Sequence, residues 1–156
     1  NIYNNYLKNF IEKIELIITS PLKRAKETAE IINKNFNVTI IEDARLMERK
    51  FGKCEGLTKA ERAKLKEDNP QIKDLWNYNQ EIDLYNIEKM PDFCNRIYEF
   101  LDSITKKYKD KNILLVSHGG ASVPIKCYFT KYPLKNLIHR DDVKGLKNCE
   151  VIKYEI

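Results

Sequence analysis

Three short apolar runs, each stopped by a turn signal and followed by chain of a different period, constrain this sequence more than any other feature. "IELIIT", Ile14 to Thr19, is rich in β-branched residues and ends at Ser20 and Pro21, as a buried strand ending in a turn does. "VTIIE", Val38 to Glu42, follows the Asn-rich break "NKNFN". "ILLVS", from Ile113, has almost no polar alternation, the pattern of a central strand covered on both faces.

Helical signals lie between these runs. Pro21 suits a first helical position and Ser20 can cap it, with Leu22, Ala25, Ala29 and Ile32 on one face. Thr58 and Glu61 match a capping box whose helix stops before Pro70. From Pro91 the spacing Phe93, Ile97, Phe100, Leu101, Ile104, Tyr108 predicts a helix of four or more turns, ended by "KDKN". Gly119 onward restarts as a helix through about Phe129, and the terminal "CEVIKYEI" alternates as a last strand would. Asp43 to Gly56 reads as a surface loop, and Gln71 to Met90 as an insertion or lid with helical pieces. Strands alternating with helices predict an α/β three-layer sandwich with a mostly parallel central sheet flanked by helices.

At 156 residues the chain suits one domain over 1–156 with a single core. A 42% hydrophobic and 33% charged composition is that of a folding chain, and the net charge of +5 favours anionic small molecules without marking a nucleic-acid groove. Cys54, Cys94, Cys127 and Cys149 form no CxxC pair and read as reduced thiols, so a cytoplasmic location is expected. No apolar run approaches the ~20 residues of a membrane span, and the opening "NIYNNYLKNF" has no secretory pattern. Neither nucleic acid nor membrane is expected as a partner; a homodimer stays open.

In parallel sheets, ligands sit beyond the carboxyl ends of the strands, and two of those ends carry unusual residues, "TSPLKRA" and "SHGG". Arg24 falls in the first turn of a helix, whose free N–H groups favour an anion. His118 stands at a strand end, where Gly119 and Gly120 let a ligand approach the backbone. Glu48, in the loop "RLMERKFGKCEG", could donate a proton to a leaving oxygen. Taken singly, each has a plainer reading: His118 as a partner of backbone carbonyls, Arg24 and Glu48 as surface charges. Arg45, Arg49 and Lys53 are either recognition groups for acidic parts of a substrate or solvated loop charges. Cys54 is no substitute nucleophile, because the phosphate-cradling "CxxxxxR" loop would need an arginine where Ala60 stands.

Taken in order, "SPLKRAKETA", "RLMERKFGKCEG" and "SHGG" closely resemble the histidine phosphatase superfamily, the phosphoglycerate mutase-like proteins. The resemblance runs from Leu16 to about Gly120, and the closing "NCEVIKYEI" is similar to that family's last strand. It implies a phosphate-pocket role for Arg24, proton donation and acceptance by Glu48, and contact of His118 with phosphoryl oxygens. It also implies a small phosphorylated metabolite as substrate and a reaction needing neither metal nor cofactor.

The family's nucleophile, a histidine in an "RHG" motif at the end of a first strand, has no counterpart here. The only other histidine, His139 in "NLIHRDD", reads as a surface residue. The resemblance therefore implies that an N-terminal strand and helix are missing from this sequence. His118 as nucleophile is the lesser alternative. The expected activity is phosphomonoester hydrolysis through a phosphohistidine supplied by the absent segment. The alternatives are a phosphoglycerate mutase-type phosphotransferase and an inactive phosphate-binding pseudoenzyme.

Overall fold

The structure is a computed structural model that describes residues 13–70, 74–80 and 85–155. Among these residues the elements are β1 (Leu16–Thr19), α1 (Lys23–Asn33), β2 (Thr39–Glu42), α2 (Lys59–Asp68), α3 (Met90–Lys107), β3 (Ile113–Val116) and α4 (Ser122–Thr130). Short 3₁₀ turns lie at Ala44–Leu46, Gly52–Cys54, Leu134–Asn136 and Arg140–Asp142. The opening "NIYNNYLKNF" lies outside the described residues.

The three strands form a parallel sheet in the order β2-β1-β3, with Leu16 opposite both Thr39 and Ile113. Because side chains alternate along a strand, β1 feeds two cores. Ile17 packs with Ala25 and Ala29 of α1 and with Val116. Leu16 and Ile18 face the larger cluster, built on Phe93, Ile97, Phe100 and Leu101 of α3 and Val123 and Cys127 of α4. The result is the expected three-layer α/β arrangement, with α1 on one face of the sheet and α3 and α4 on the other.

The periodic stripe predicts α3 well: seven of its residues, from Met90 to Ile104, are buried. Each large apolar side chain there contributes ~1.5–3 kcal/mol by leaving water. The capping box is also present, with Thr58 Oγ1 accepting from the Glu61 N–H and Glu61 Oε2 accepting from the Thr58 N–H. The thiols of Cys54, Cys94 and Cys127 are buried, that of Cys149 is exposed, and all four are free.

Four expectations are corrected. The central strand among those described is β1, buried throughout, whereas Ile113 to Leu115 are half-buried because β3 pairs on one side only among the described residues. Helix α1 begins at Lys23, with Leu22 as its cap residue: the Ser20 hydroxyl accepts from the Leu22 N–H at 3.3 Å, one residue short of the first turn, and lies 2.8 Å from His118 Nε2. Helix α4 starts at Ser122, after a turn at Gly119 to Ala121. Residues 151–155 form no strand: their alternation is spent on contacts such as the stacking of Tyr154 on Phe129, at 4.3 Å between centroids, and a ladder needs a partner as well as a pattern. The insertion expected over Gln71 to Met90 lies partly outside the described residues. Its described pieces, 74–80 and 85–89, hold turns and extended chain with no helix.

Beyond the strand ends the pairing continues, with Ser20 N–H donating to Val116 O at 2.9 Å and Asp43 N–H to Thr19 O at 3.0 Å. The Ser117 hydroxyl donates to Leu46 O at 2.7 Å, which ties the end of β3 to the loop that carries Glu48. Among the described residues no helix is long and apolar enough to cross a membrane.

Candidate active site

The carboxyl end of β1 lies beside that of β3, so Ser20 and His118 meet directly. Arg24 Nε lies 3.1 Å from His118 Nδ1 and can only donate, so Nδ1 is the accepting nitrogen. His118 is then a neutral imidazole whose proton sits on Nε2, 2.8 Å from Ser20 Oγ. Burial holds its pKa below the ordinary histidine value; the Arg24 charge pushes in the same direction and Glu48 opposes it. Both ring nitrogens are engaged, which leaves neither as a free nucleophile in this arrangement.

Glu48 arrives from the loop after β2. Its Oε2 accepts from the Gly120 N–H at 2.9 Å and its Oε1 from the Arg49 N–H at 3.0 Å. A Cβ on Gly120 would sit 2.1 Å from Glu48 Oε1, so the carboxylate occupies the space that any other residue would fill. Gly120 is two residues beyond His118, and both stand at the turn into α4. Gly119 points elsewhere: its carbonyl accepts from Ser122 Oγ at 2.7 Å.

Arg24, Glu48 and Gly120 line one open cleft of about 990 Å³. His118 is not on its wall and meets it through Arg24. The three residues singled out by sequence therefore come together. His139 does not join them: it is exposed, and its Nδ1 lies 2.9 Å from Asp74 Oδ2, a contact that raises its pKa.

Two arginines frame the acid. Arg96 of α3 binds both Glu88 carboxylate oxygens, at 2.6 and 3.0 Å, and donates to the carbonyls of Arg45, Met47 and Glu48 at 2.6, 2.9 and 3.2 Å. The loop belongs to no strand, and this guanidinium, together with the Ser117 hydroxyl on Leu46 O, fixes its path. Sequence reading passed over Arg96, although a position three after Phe93 and four before Phe100 lies at the edge of the apolar stripe. Arg49 is only 2% exposed, donates to the carbonyls of Glu88 and Leu75, and has its pKa lowered by burial to about 10. It is no solvated loop charge. Arg45 is a strut, with Nη2 2.7 Å from Asp43 Oδ2 and its guanidinium over Phe100; Lys53 is exposed.

Cys54 also lines the cleft, but burial raises its pKa against the pull of Arg62, so it stays a thiol at neutral pH. Among the described residues no cluster of three or more His, Cys, Asp or Glu is placed to hold a metal ion.

The fold is that of the phosphoglycerate mutase-like proteins: Bacillus stearothermophilus YhfR superimposes with a TM-score of 0.72 and 26% identity, over 84% of this chain and 64% of that one. The chain belongs to the histidine phosphatase superfamily (branch 1), whose family model matches residues 3–156. Among curated relatives, the Bacillus subtilis (strain 168) protein named "Uncharacterized phosphatase PhoE" is 36% identical over 117 residues, 74% of this chain and 52% of the relative. A metal-independent phosphoserine phosphatase of Arabidopsis thaliana is 33% identical over 113 residues, 70% of this chain and 46% of the relative. The chain thus spans about half the length of these two relatives.

Proposed function

We propose that this chain acts in phosphomonoester hydrolysis by a phosphohistidine route, with the accepting histidine carried by chain outside this sequence. The observation that carries the reading is the meeting of Arg24, His118 and Glu48 at the strand ends, with Arg24 and Glu48 on one cleft wall. The engagement of both His118 nitrogens supports a nucleophile from elsewhere.

In the first step an imidazole nitrogen forms a bond to phosphorus, the bond from phosphorus to the ester oxygen breaks, and Glu48 gives its proton to the departing alcohol. Arg24 neutralises charge on the phosphoryl oxygens. His118 keeps Arg24 oriented and, once the anion is bound, exchanges the Nε2 contact with Ser20 Oγ for one with a phosphoryl oxygen. In the second step water attacks phosphorus, Glu48 takes the proton from the water, and phosphate and the free imidazole are released. No step calls on a metal or cofactor, and the substrate is a small phosphorylated metabolite.

The test is turnover by the full-length protein of p-nitrophenyl phosphate and of an alkyl phosphate. Nitrophenolate leaves readily without a proton and an alkoxide does not, so Glu48→Gln is expected to depress kcat/KM, which reports the first step, by ~10²-fold or more for the alkyl ester and far less for the aryl ester. Arg24→Ala is expected to depress both. Equal losses for the two esters in Glu48→Gln would remove Glu48 as the acid. Phosphate binding without turnover would indicate a pseudoenzyme, and an isomerised product a mutase.

A further inference from the structure

Residues 74–80 and 134–142 are distant in sequence and are stitched together at the rim of the cleft. The Tyr78 N–H donates to Leu137 O at 2.8 Å, and the Asn79 side-chain amide donates to Lys135 O at 2.7 Å. The Arg140 guanidinium lies over the Trp76 ring at 5.3 Å from its centroid, and His139 Nδ1 lies 2.9 Å from Asp74 Oδ2. Asp74, Leu75, Trp76 and Arg140 all line the cleft, so these contacts hold one side of it.

On its inner side the segment 74–80 is fixed by groups that do not titrate near neutral pH. Trp76 packs edge-on against fully buried Phe93, with centroids 6.5 Å apart, and buried Arg49 donates to Leu75 O. On the outer side the tie is an imidazole. The backbone N–H groups of Ile138 and His139 donate to Asp142 Oδ2 at 2.8 and 2.7 Å, which sets the turn that presents the ring. Across from it, Asp74 Oδ1 accepts from the Trp76 N–H at 2.8 Å, so the carboxylate that meets His139 also orients the Trp76 backbone. A neutral imidazole can donate from Nδ1, but a protonated one donates with a full charge and about twice the strength. The Asp74 carboxylate, with Asp142 and Asp141 of the same turn as His139, raises the His139 pKa above the ordinary histidine value. The cations near the pair are Arg49 and Arg140, and arginine keeps its charge throughout the neutral range, so among the described groups facing this contact His139 is the one that switches.

We infer that the His139–Asp74 pair is a pH-operated clasp: protonated His139 draws the segment 74–80 onto residues 137–142 and holds the Leu75 and Trp76 side of the cleft in place, and neutral His139 lets that side loosen. His139 is thus a positioning residue that acts through Asp74 and touches no reacting group. Because its pKa is raised in the folded state, the contact is fully present below the unfolded value of about 6.5 and is lost as pH rises through the folded value. His118 is shifted the other way, so the two histidines titrate in separate windows.

The experiment is hydrogen exchange of the Tyr78 amide, the donor that crosses between the two stretches, in the full-length protein from pH 6 to pH 8.5, each rate being divided by that of unstructured chain at the same pH. Protection is expected to fall about 3-fold over that range, the scale of an exposed ion pair. His139→Gln is expected to show the lower protection throughout, and Asp74→Asn, which keeps an oxygen for the Trp76 N–H, to do the same. The Glu88 amide, bonded to Lys50 O outside the clasp, is expected to follow neither change. At the cleft the readout is KM for an alkyl phosphate, taken as the ratio of His139→Gln to the unaltered protein so that ionisation of the ester cancels; it is expected to be about 3 at pH 6 and near 1 at pH 8.5. Tyr78 protection that is flat with pH, or that falls equally in either variant, overturns the clasp. Falling protection with a KM ratio near 1 at every pH overturns its hold on the cleft. Absence of turnover overturns the phosphatase reading instead, and exchange at Tyr78 still decides the clasp.

Discussion

Helices α2 and α3 both border the candidate site and differ in what holds them. Helix α3 buries seven residues against the sheet and α4, and α2 buries none. The latter hangs on local bonds: its capping box, the Arg62 guanidinium on Leu57 O, the Asn69 amide on Leu65 O, and the half-buried Leu65 against Cys54 and Ile87. The packed helix places Glu48 through Arg96, and the loosely held one brings Lys59, Arg62 and Lys66 to the cleft. The position of Glu48 thus draws on the most deeply packed helix described, and one side of the cleft on a helix with no buried residue, which is expected to open locally at lower free energy.

The contrast breaks first at the core. Phe93→Ala is expected to cost ~3–5 kcal/mol in urea unfolding, since Phe93 is fully buried; a loss near 1 kcal/mol would mean α3 is not the frame described. Arg96→Met comes next, at about 2–3 kcal/mol, because it strips donors from the Glu88 carboxylate and three loop carbonyls. Its turnover is expected to fall further than its stability explains. Thr58→Ala is expected to cost ~1 kcal/mol within α2 only, seen as faster amide exchange at Glu61 with little change in the unfolding midpoint. A midpoint shift as large as that of Phe93→Ala would erase the distinction.

The gentlest probe is pH. The pKa of His118 is lowered in the folded state by burial and by Arg24, so the unfolded chain takes up a proton first. Stability is therefore full above the unfolded value of about 6.5 and declines as pH falls below it. His118→Asn is expected to flatten that part of the profile. The Glu61 pKa is lowered by the Thr58 N–H and hydroxyl, so its contribution is present above the unfolded value of about 4.3 and is lost on further acidification. Denaturation midpoints should register the first change, and amide exchange in α2 only the second.

The sequence was most legible where structure is local or periodic. The stripe from Phe93 to Ile104 and the pair Thr58 and Glu61 each carry their meaning within a few turns, and β1 is marked by its β-branched run. What escaped depends on distant partners. Ser20 has the composition of a helix cap, yet its hydroxyl, besides accepting from the Leu22 N–H, lies 2.8 Å from His118 Nε2, 98 positions away. The loop cations look alike in sequence, and only the fold separates buried Arg49 from the strut Arg45 and exposed Lys53. The alternation at the carboxyl terminus promised a strand, but among the described residues no neighbour supplies the ladder.

The grip of Arg96 on three carbonyls between Arg45 and Glu48 separates where the Glu48 carboxylate stands from how the rim beyond it is shaped. The stretch 51–70 can lengthen, shorten or change charge without removing a hydrogen-bond partner of the Glu48 carboxylate or of Arg96, because those partners lie at Arg45 to Arg49, Glu88 and Gly120. A lineage carrying this scaffold is thereby free to reshape the mouth of the cleft while the Glu48 carboxylate stays in place.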